Sequence, residues 1–327
     1  MHRGGKYIAS GTYGCTFNPH LKCINVSNKK NTVGKVFADN NEHDAEVDVM
    51  TQIQKDIDPL NKFTVPFYGS CGVHYYRQTD ATTKCTHLHQ TNPQQHQQLL
   101  YGYGGQSLSS KFAKAGSIKS FLNLLPKFLP LFDGLTVFNQ YKIVHLDLKT
   151  DNILYNRSKL FLIDFGLMQR ETDIYSSSNM RVLIHDYVWY PPEFKVYLFK
   201  KSGGFDKLFQ RVSDNFQGSN KDIANAMTTV LKMNLKHDLE VFFKDDVPKK
   251  NYKTYASKID VYALGILLLK LYLWSGFHKK TYKRPTPKTI VKERLTTLLK
   301  GMLHFDPRKR HTPQEALEQF RQLCVNL

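Results

Sequence analysis

The sequence predicts an α+β chain in two parts, a small β-rich one to about Tyr103 and a larger helical one after it. Three observations predict this. Residues 6–37 alternate in hydropathy around a glycine turn, as paired strands do, and Phe63–Tyr68 and Gln98–Tyr103 repeat the pattern. Beyond Gly102, Gly104 and Gly105 the apolar period changes to three and four residues. The chain's 327 residues are enough for two parts, at roughly 150 residues per domain.

Taken in order, Tyr7–Ala9, Thr16–Phe17 and Thr32–Phe37 form a small antiparallel sheet, with Gly11-Thr12-Tyr13-Gly14 between the first two. A helix then interrupts the strands over Glu42–Ile57, where Val49, Met50, Ile53 and Ile57 share a face and Asn40 or Asn41 serves as cap. A polar stretch rich in Gln, Thr and His separates the last two strands and reads as a surface insertion. In the second part Ser117–Tyr141 is the clearest helix and Ala256–Trp274 the most apolar. Lys195–Tyr255 is more polar, with a helix expected over Lys221–Asn234, and no internal repeat is visible.

A hydrophobic fraction of 41% and an aromatic fraction of 13% exclude a disordered or fibrous chain. Lys+Arg 46 against Asp+Glu 28 gives a net charge of +18, so acidic partners are expected. Five widely spaced cysteines, an odd number in a chain too large to need staples, point to a reducing, intracellular compartment. The first residues lack the apolar run of a signal peptide. Ala263–Trp274, with Lys270 inside it, falls short of the about 20 residues of a membrane span and reads as a core helix.

The glycines of Ala9-Ser10-Gly11-Thr12-Tyr13-Gly14 let backbone N–H groups approach an anion, although an ordinary hairpin reads the same way. Lys35, on a strand face with Val33 and Phe37, is by itself an ordinary strand lysine. Glu46 lies beside the apolar stripe of its helix and calls for a partner, which Lys35 provides, with Glu42 one turn earlier as the alternative. Two later segments change the weight of these residues. Ile143-Val-His145-Leu-Asp147-Leu-Lys149-Thr-Asp-Asn152-Ile-Leu154 sets a carboxylate, an ammonium and an amide on one loop between apolar anchors. Leu162-Ile-Asp164-Phe-Gly166 ends an apolar strand in a second carboxylate and a glycine. Such oxygens suit a hard ion such as Mg²⁺, and a carboxylate left free of metal can accept a proton from a hydroxyl.

With Tyr190-Pro-Pro-Glu193, Asp260-Val-Tyr-Ala-Leu-Gly265 and Asp306-Pro-Arg-Lys-Arg310, these elements fall in an order that resembles the eukaryotic-type protein kinases over nearly the whole chain. The run from Gly11 to Cys23 also looks like kinases of large cytoplasmic DNA viruses. The resemblance implies a bilobal kinase fold, an N-lobe over residues 1–103 and a C-lobe over 104–327, and transfer of the γ-phosphate of ATP to protein hydroxyls. By resemblance Ser10, Gly11, Thr12, Tyr13 and Gly14 cradle the nucleotide, and Lys35, paired with Glu46, holds the α- and β-phosphates. Asp147 is the base, Lys149 steadies the γ-phosphate, and Asn152 and Asp164 ligate Mg²⁺, or Mn²⁺ in its place. Lys149 two residues after the base is the serine/threonine pattern. Glu193 and Arg310 are expected to pair, and Asp260 to hold the catalytic loop. A viral origin would imply the host cytoplasm or the virion.

The departures are informative as well. Ala9 replaces the first loop glycine, and Leu146 replaces the arginine that normally receives an activation-loop phosphate, so switching by phosphorylation at Thr172, Ser176, Ser177 or Ser178 is less expected. The long interval from Glu193 to Asp260 implies an inserted helical element within Lys195–Tyr255. Cys71, Cys85, His87 and His89 fit no common zinc spacing. Residues 279–310 hold eleven Lys or Arg against Glu293 and Asp306, a local +9 that reads as a solvated loop or as a docking surface for acidic protein or nucleic acid. Two rival readings are a pseudokinase scaffold and a basic nucleic-acid-binding accessory protein, for which no reader motif is present. A monomer is the default.

Overall fold

The alternating segments of the first hundred residues pair into one five-stranded antiparallel sheet in a computed structural model, which describes residues 5–11, 14–24, 31–73, 83–86, 96–112, 116–156, 158–174, 187–199, 204–245, 249–282, 284, 286–325 and 327. The chain divides into two units, Met1–Gly105 with Phe161–Gly166, and Gln106–Leu160 with Leu167–Leu327. Both helix and strand are thus present, with the sheet in one unit and most helices in the other.

In the first unit the strands are β1 (Lys6–Ser10), β2 (Gly14–Asn18), β3 (Thr32–Phe37), β4 (Phe67–Gly72) and β5 (Gln97–Gly102), in the order β1-β2-β3-β5-β4. The expected strand at Phe63–Tyr68 lies further along. Asp58 explains the shift, because its carboxylate accepts the backbone N–H groups of Lys62, Phe63 and Thr64 and removes them from any ladder. Gly14 has no room for a side chain, since a Cβ there would overlap the Val36 carbonyl on β3. The helix begins at Asn40 and is capped by Asp39, whose side chain accepts from the Asn41 N–H, so the cap is neither Asn40 nor Asn41. It buries His43, Glu46 and Met50, and a wider turn over Ile53–Ile57 ends it.

The cysteines depart from the sequence reading. Cys15 pairs with Cys85 and Cys23 with Cys71, with Cα separations of 6.0 and 5.7 Å, and Cys324 is free. Disulfides do not argue for a reducing compartment. Wide spacing misled because the fold brings together residues 70 and 48 positions apart: Cys15 on β2 meets Cys85, which lies outside any strand, and Cys23, bridged to Val73, meets Cys71 on β4. Cys71 and Cys85 are thereby committed to sulfur, while His87 and His89 lie outside the described residues.

The second unit is organised around the helix Ile259–Trp274, which is buried on nearly every side. A Cβ on its Gly265 would come within 3.0 Å of Met302 and nearer still to Leu303, so glycine permits the helix Pro287–Met302 to approach. Phe132 of the helix Leu129–Gln140 stacks on Phe320 of Pro313–Cys324 at 4.2 Å. The expected helix at Ser117–Tyr141 is interrupted by a tighter turn at Leu125–Phe128, where Pro126 lacks the N–H an α-helix needs. Among the described residues, Ile118–Gln140 is the one helical run long and apolar enough to cross a membrane, and half of its apolar window is buried within the protein. Short strands complete the unit: β6 (Gln106–Ser107), β7 (Ile143–Val144), β8 (Ile153–Asn156), the first half of β9 (Lys159–Leu162), whose last two residues belong to the first unit, and β10 (Gln169–Arg170).

Among the described residues, the polar stretch after Glu193 includes the α-helices Phe205–Asp214, Lys221–Thr229 and Leu235–Lys244. Buried Lys195 ties the first of them down by donating to Asn215 Oδ1 at 2.6 Å, and Arg308 pairs with Asp245 after the third. Glu193 and Arg310 form a bidentate pair at 2.6 and 2.8 Å, both fully buried, and the guanidinium lies 5.0 Å from the Tyr262 ring. Removing one partner of such a pair leaves an uncompensated charge in the core. Arg310→Ala or Glu193→Ala is therefore expected to lose about 3–5 kcal/mol of stability. Denaturant unfolding checks this, and a loss below about 1 kcal/mol would show that water reaches the site.

Candidate functional site

Among the described residues, the charged side chains singled out by the sequence gather in two clusters, one in each unit. In the first unit, β3 pairs with β5 so that Lys35 lies opposite Leu99, on a face looking toward the helix Asn40–Gln52. The Lys35 Nζ donates to Glu46 Oε2 at 2.5 Å and to Asp164 Oδ1 at 3.3 Å. Tyr101, two residues from Leu99 on β5, donates its hydroxyl to Glu46 Oε1 at 2.7 Å. Glu42 is exposed and does not take part. Burial by itself would lower the Lys35 pKa, but Glu46 and then Asp164 outweigh it and hold the ammonium above its ordinary value. Burial, and then Glu46, push the Tyr101 phenol well up. This cluster is a cation fixed between two carboxylates, one buried and one 40% exposed.

Asp164 has φ 66°, a left-handed conformation that aspartate tolerates better than most residues. The Phe161–Gly166 segment belongs with the first unit, although the sequence reading assigned it to the second. Its strand end bridges Leu162 to Thr64, and the Leu162 N–H donates to the Phe63 carbonyl. Ser10 and Gly14 flank the glycine turn, which the Gly11 N–H closes on the Gly14 carbonyl at 2.8 Å. Thr12 and Tyr13 lie outside the described residues.

In the second unit, Asp147, Lys149 and Asn152 meet on the loop after β7. The Lys149 Nζ reaches both Asp147 oxygens, at 2.9 and 2.8 Å, and Asn152 Nδ2 donates to Asp147 Oδ2 at 2.7 Å and to its backbone carbonyl at 3.0 Å. Leu146, buried, has φ 65°, an unfavourable conformation for a branched side chain. The Asp260 carboxylate holds it there, accepting the His145 N–H at 2.7 Å and the Leu146 N–H at 3.1 Å. His145 in turn accepts the Asp147 N–H on Nδ1, a structural role. Tyr101 and Tyr187, which donates to Asp147 Oδ1 at 3.2 Å, were not indicated by the sequence, because neither lies in a motif.

The basic segment is divided in its commitments. Arg310 is buried with Glu193, and Lys292 donates to the carbonyls of His278 and Lys280. Lys279, Lys280, Arg284 and Lys288 are exposed, and Lys283 lies outside the described residues, as do Ser176, Ser177 and Ser178. Among the described residues no group of three or more His, Cys, Asp or Glu converges on one point.

No protein-family model matches the chain, and no curated protein matches it.

Burial pushes the Asp260 carboxyl up to about 7, against the opposite effect of its two backbone donors. In the unfolded chain an aspartate titrates near about 3.9, so between about pH 4 and pH 7 the folded protein holds the extra proton. The stability from this group is therefore full below about pH 4 and is lost as the pH rises toward 7. The Tm of the wild type minus that of Asp260→Asn is expected to fall over that window and to level off above it. A difference that does not change with pH would overturn the assignment.

Proposed function

We propose that the chain is an ATP-dependent protein serine/threonine kinase whose two units are the lobes of a protein-kinase fold. The observation that carries this reading is the loop on which Asp147, Lys149 and Asn152 converge, held in a strained conformation by buried Asp260. Strain maintained by a buried carboxylate is a feature of functional sites, and a positioned carboxylate beside an ammonium suits proton removal next to a phosphate. The Lys35 ammonium, fixed by Glu46, supports the same reading.

In this proposal Lys35 holds the α- and β-phosphates, and the Ser10–Gly14 segment cradles the nucleotide. Lys149 steadies the γ-phosphate. Asp147 orients the acceptor hydroxyl and takes its proton as the oxygen bonds to the γ-phosphorus and the bond to the leaving ADP oxygen breaks. The half-exposed Asp164 carboxylate and the Asn152 amide oxygen are hard donors that fit magnesium, and manganese equally. Magnesium, when bound, neutralises phosphate charge. Positioning and charge do most of the work in such a transfer. The exposed Lys279, Lys280, Arg284 and Lys288 favour acidic protein substrates, with nucleic acid as the other acidic partner.

Magnesium-dependent transfer of radiolabelled phosphate from ATP to an acidic protein tests the proposal. Asp147→Ala is expected to keep the fold and nucleotide binding while losing about 10²–10⁴ in turnover. Full activity in that variant would remove Asp147 from the mechanism, and a wild type without transfer would favour the scaffold reading. Asp164→Ala is expected to weaken magnesium-dependent nucleotide binding. An unchanged metal dependence there would sink its assignment as a ligand.

A further inference from the structure

A carboxylate has about four acceptor positions, two on each oxygen. Those of Asp147 are all taken. Oδ1 accepts from Lys149 at 2.9 Å and from the Tyr187 hydroxyl at 3.2 Å, and Oδ2 accepts from Lys149 at 2.8 Å and from Asn152 at 2.7 Å. An incoming acceptor hydroxyl has to displace one donor. The three donors are not equivalent. Lys149 touches both oxygens and can release either one, and Asn152 Nδ2 also holds the Asp147 backbone carbonyl. Tyr187 has a single proton and spends it on Oδ1.

Tyr187 also differs in where it comes from. Lys149 and Asn152 sit on the same loop as Asp147, whereas Tyr187 reaches it from 40 residues further along the chain. Its ring packs edge-on against Tyr190 at 5.0 Å, with the Lys149 ammonium 6.0 Å from its centre. Its carbonyl closes a turn with the Tyr190 N–H, and the same segment is anchored at Glu193 by buried Arg310. Burial, and then the Asp147 charge, push the phenol's pKa up, so it remains a donor throughout the neutral range.

We propose that Tyr187 is a positioning residue which clamps Oδ1 of Asp147 to the anchored Tyr187–Glu193 segment, leaving Oδ2 as the oxygen at which an acceptor hydroxyl enters and delivers its proton. This rests on the kinase reading above. It explains why a tyrosine stands here with its hydroxyl turned toward a carboxylate instead of toward water, and it assigns the two Asp147 oxygens different duties.

Tyr187→Phe in the full-length chain tests this. The substitution removes one oxygen and keeps the ring against Tyr190, so Tm is expected to stay within about 2 °C. Single-turnover transfer at saturating Mg-ATP is expected to slow about tenfold, as befits the loss of a hydrogen bond to a charged group. Nucleotide affinity, measured by calorimetry, and KM for the protein acceptor are expected to change less than about twofold. In an Asp147→Asn background the same substitution is expected to have no further effect, because both changes act on one interaction. Faster transfer in Tyr187→Phe would mean that the phenol blocks the acceptor, and an unchanged rate would deny it any role. An equal loss in the Asp147→Asn background would mean that it acts through another group. Any of these overturns the inference while leaving the kinase reading intact, whereas a wild type that transfers no phosphate overturns both.

Discussion

The charged cluster of the second unit hangs from the Asp260 carboxylate. Buried in the central helix, it accepts the N–H groups of His145 and Leu146 and so holds a loop whose backbone passes through a left-handed residue at Leu146. A leucine there costs free energy that only a well-placed acceptor offsets. The loop that results brings an ammonium and an amide onto Asp147. Local strain, a buried carboxyl group and the orientation of a second carboxylate are one arrangement.

The first unit solves a related problem in a different way. Lys35 stands between Glu46 and Asp164, and Tyr101 takes the second oxygen of Glu46, so the buried carboxylate is satisfied on both sides. Depriving a buried ion of its partner costs about 3–5 kcal/mol, so each of these contacts matters to the whole cluster. Here the helix Asn40–Gln52, two strands of the sheet and the Phe161–Gly166 segment each contribute one member. The clusters share a design, an ammonium that touches a carboxylate while a neutral donor completes that carboxylate's hydrogen bonding.

Periodicity showed the strands of the first unit and the buried central helix clearly, because each has an uninterrupted apolar pattern matched to its element. It failed where a polar group or a proline overrode the pattern. The Phe63–Tyr68 segment alternates like a strand, yet Asp58 takes its N–H groups. The Ser117–Tyr141 segment has helical spacing throughout, yet Pro126 tightens it in the middle. The cysteines failed for another reason: spacing along the chain says nothing about which segments become neighbours, and the fold brings Cys15 to Cys85 and Cys23 to Cys71.

The chemical types of Asp147, Lys149 and Asn152, which share one short segment, and of Asp164, which ends an apolar strand, were legible before any fold was known, whereas Lys35 and Glu46 gained weight only from those later segments. The pairing of Glu193 with Arg310 was legible too, but through the order of the motifs and not through any local pattern. Packing in three dimensions settled the rest: that Glu46 and not Glu42 meets Lys35, that Tyr101 and Tyr187 complete the two carboxylates, and that Asp164 groups with the first unit. The physical reason is that these are contacts between residues distant in sequence. They depend on strand register, on the rotation of a helix about its axis and on where a loop is pinned, and each of those is set by packing that no local window contains.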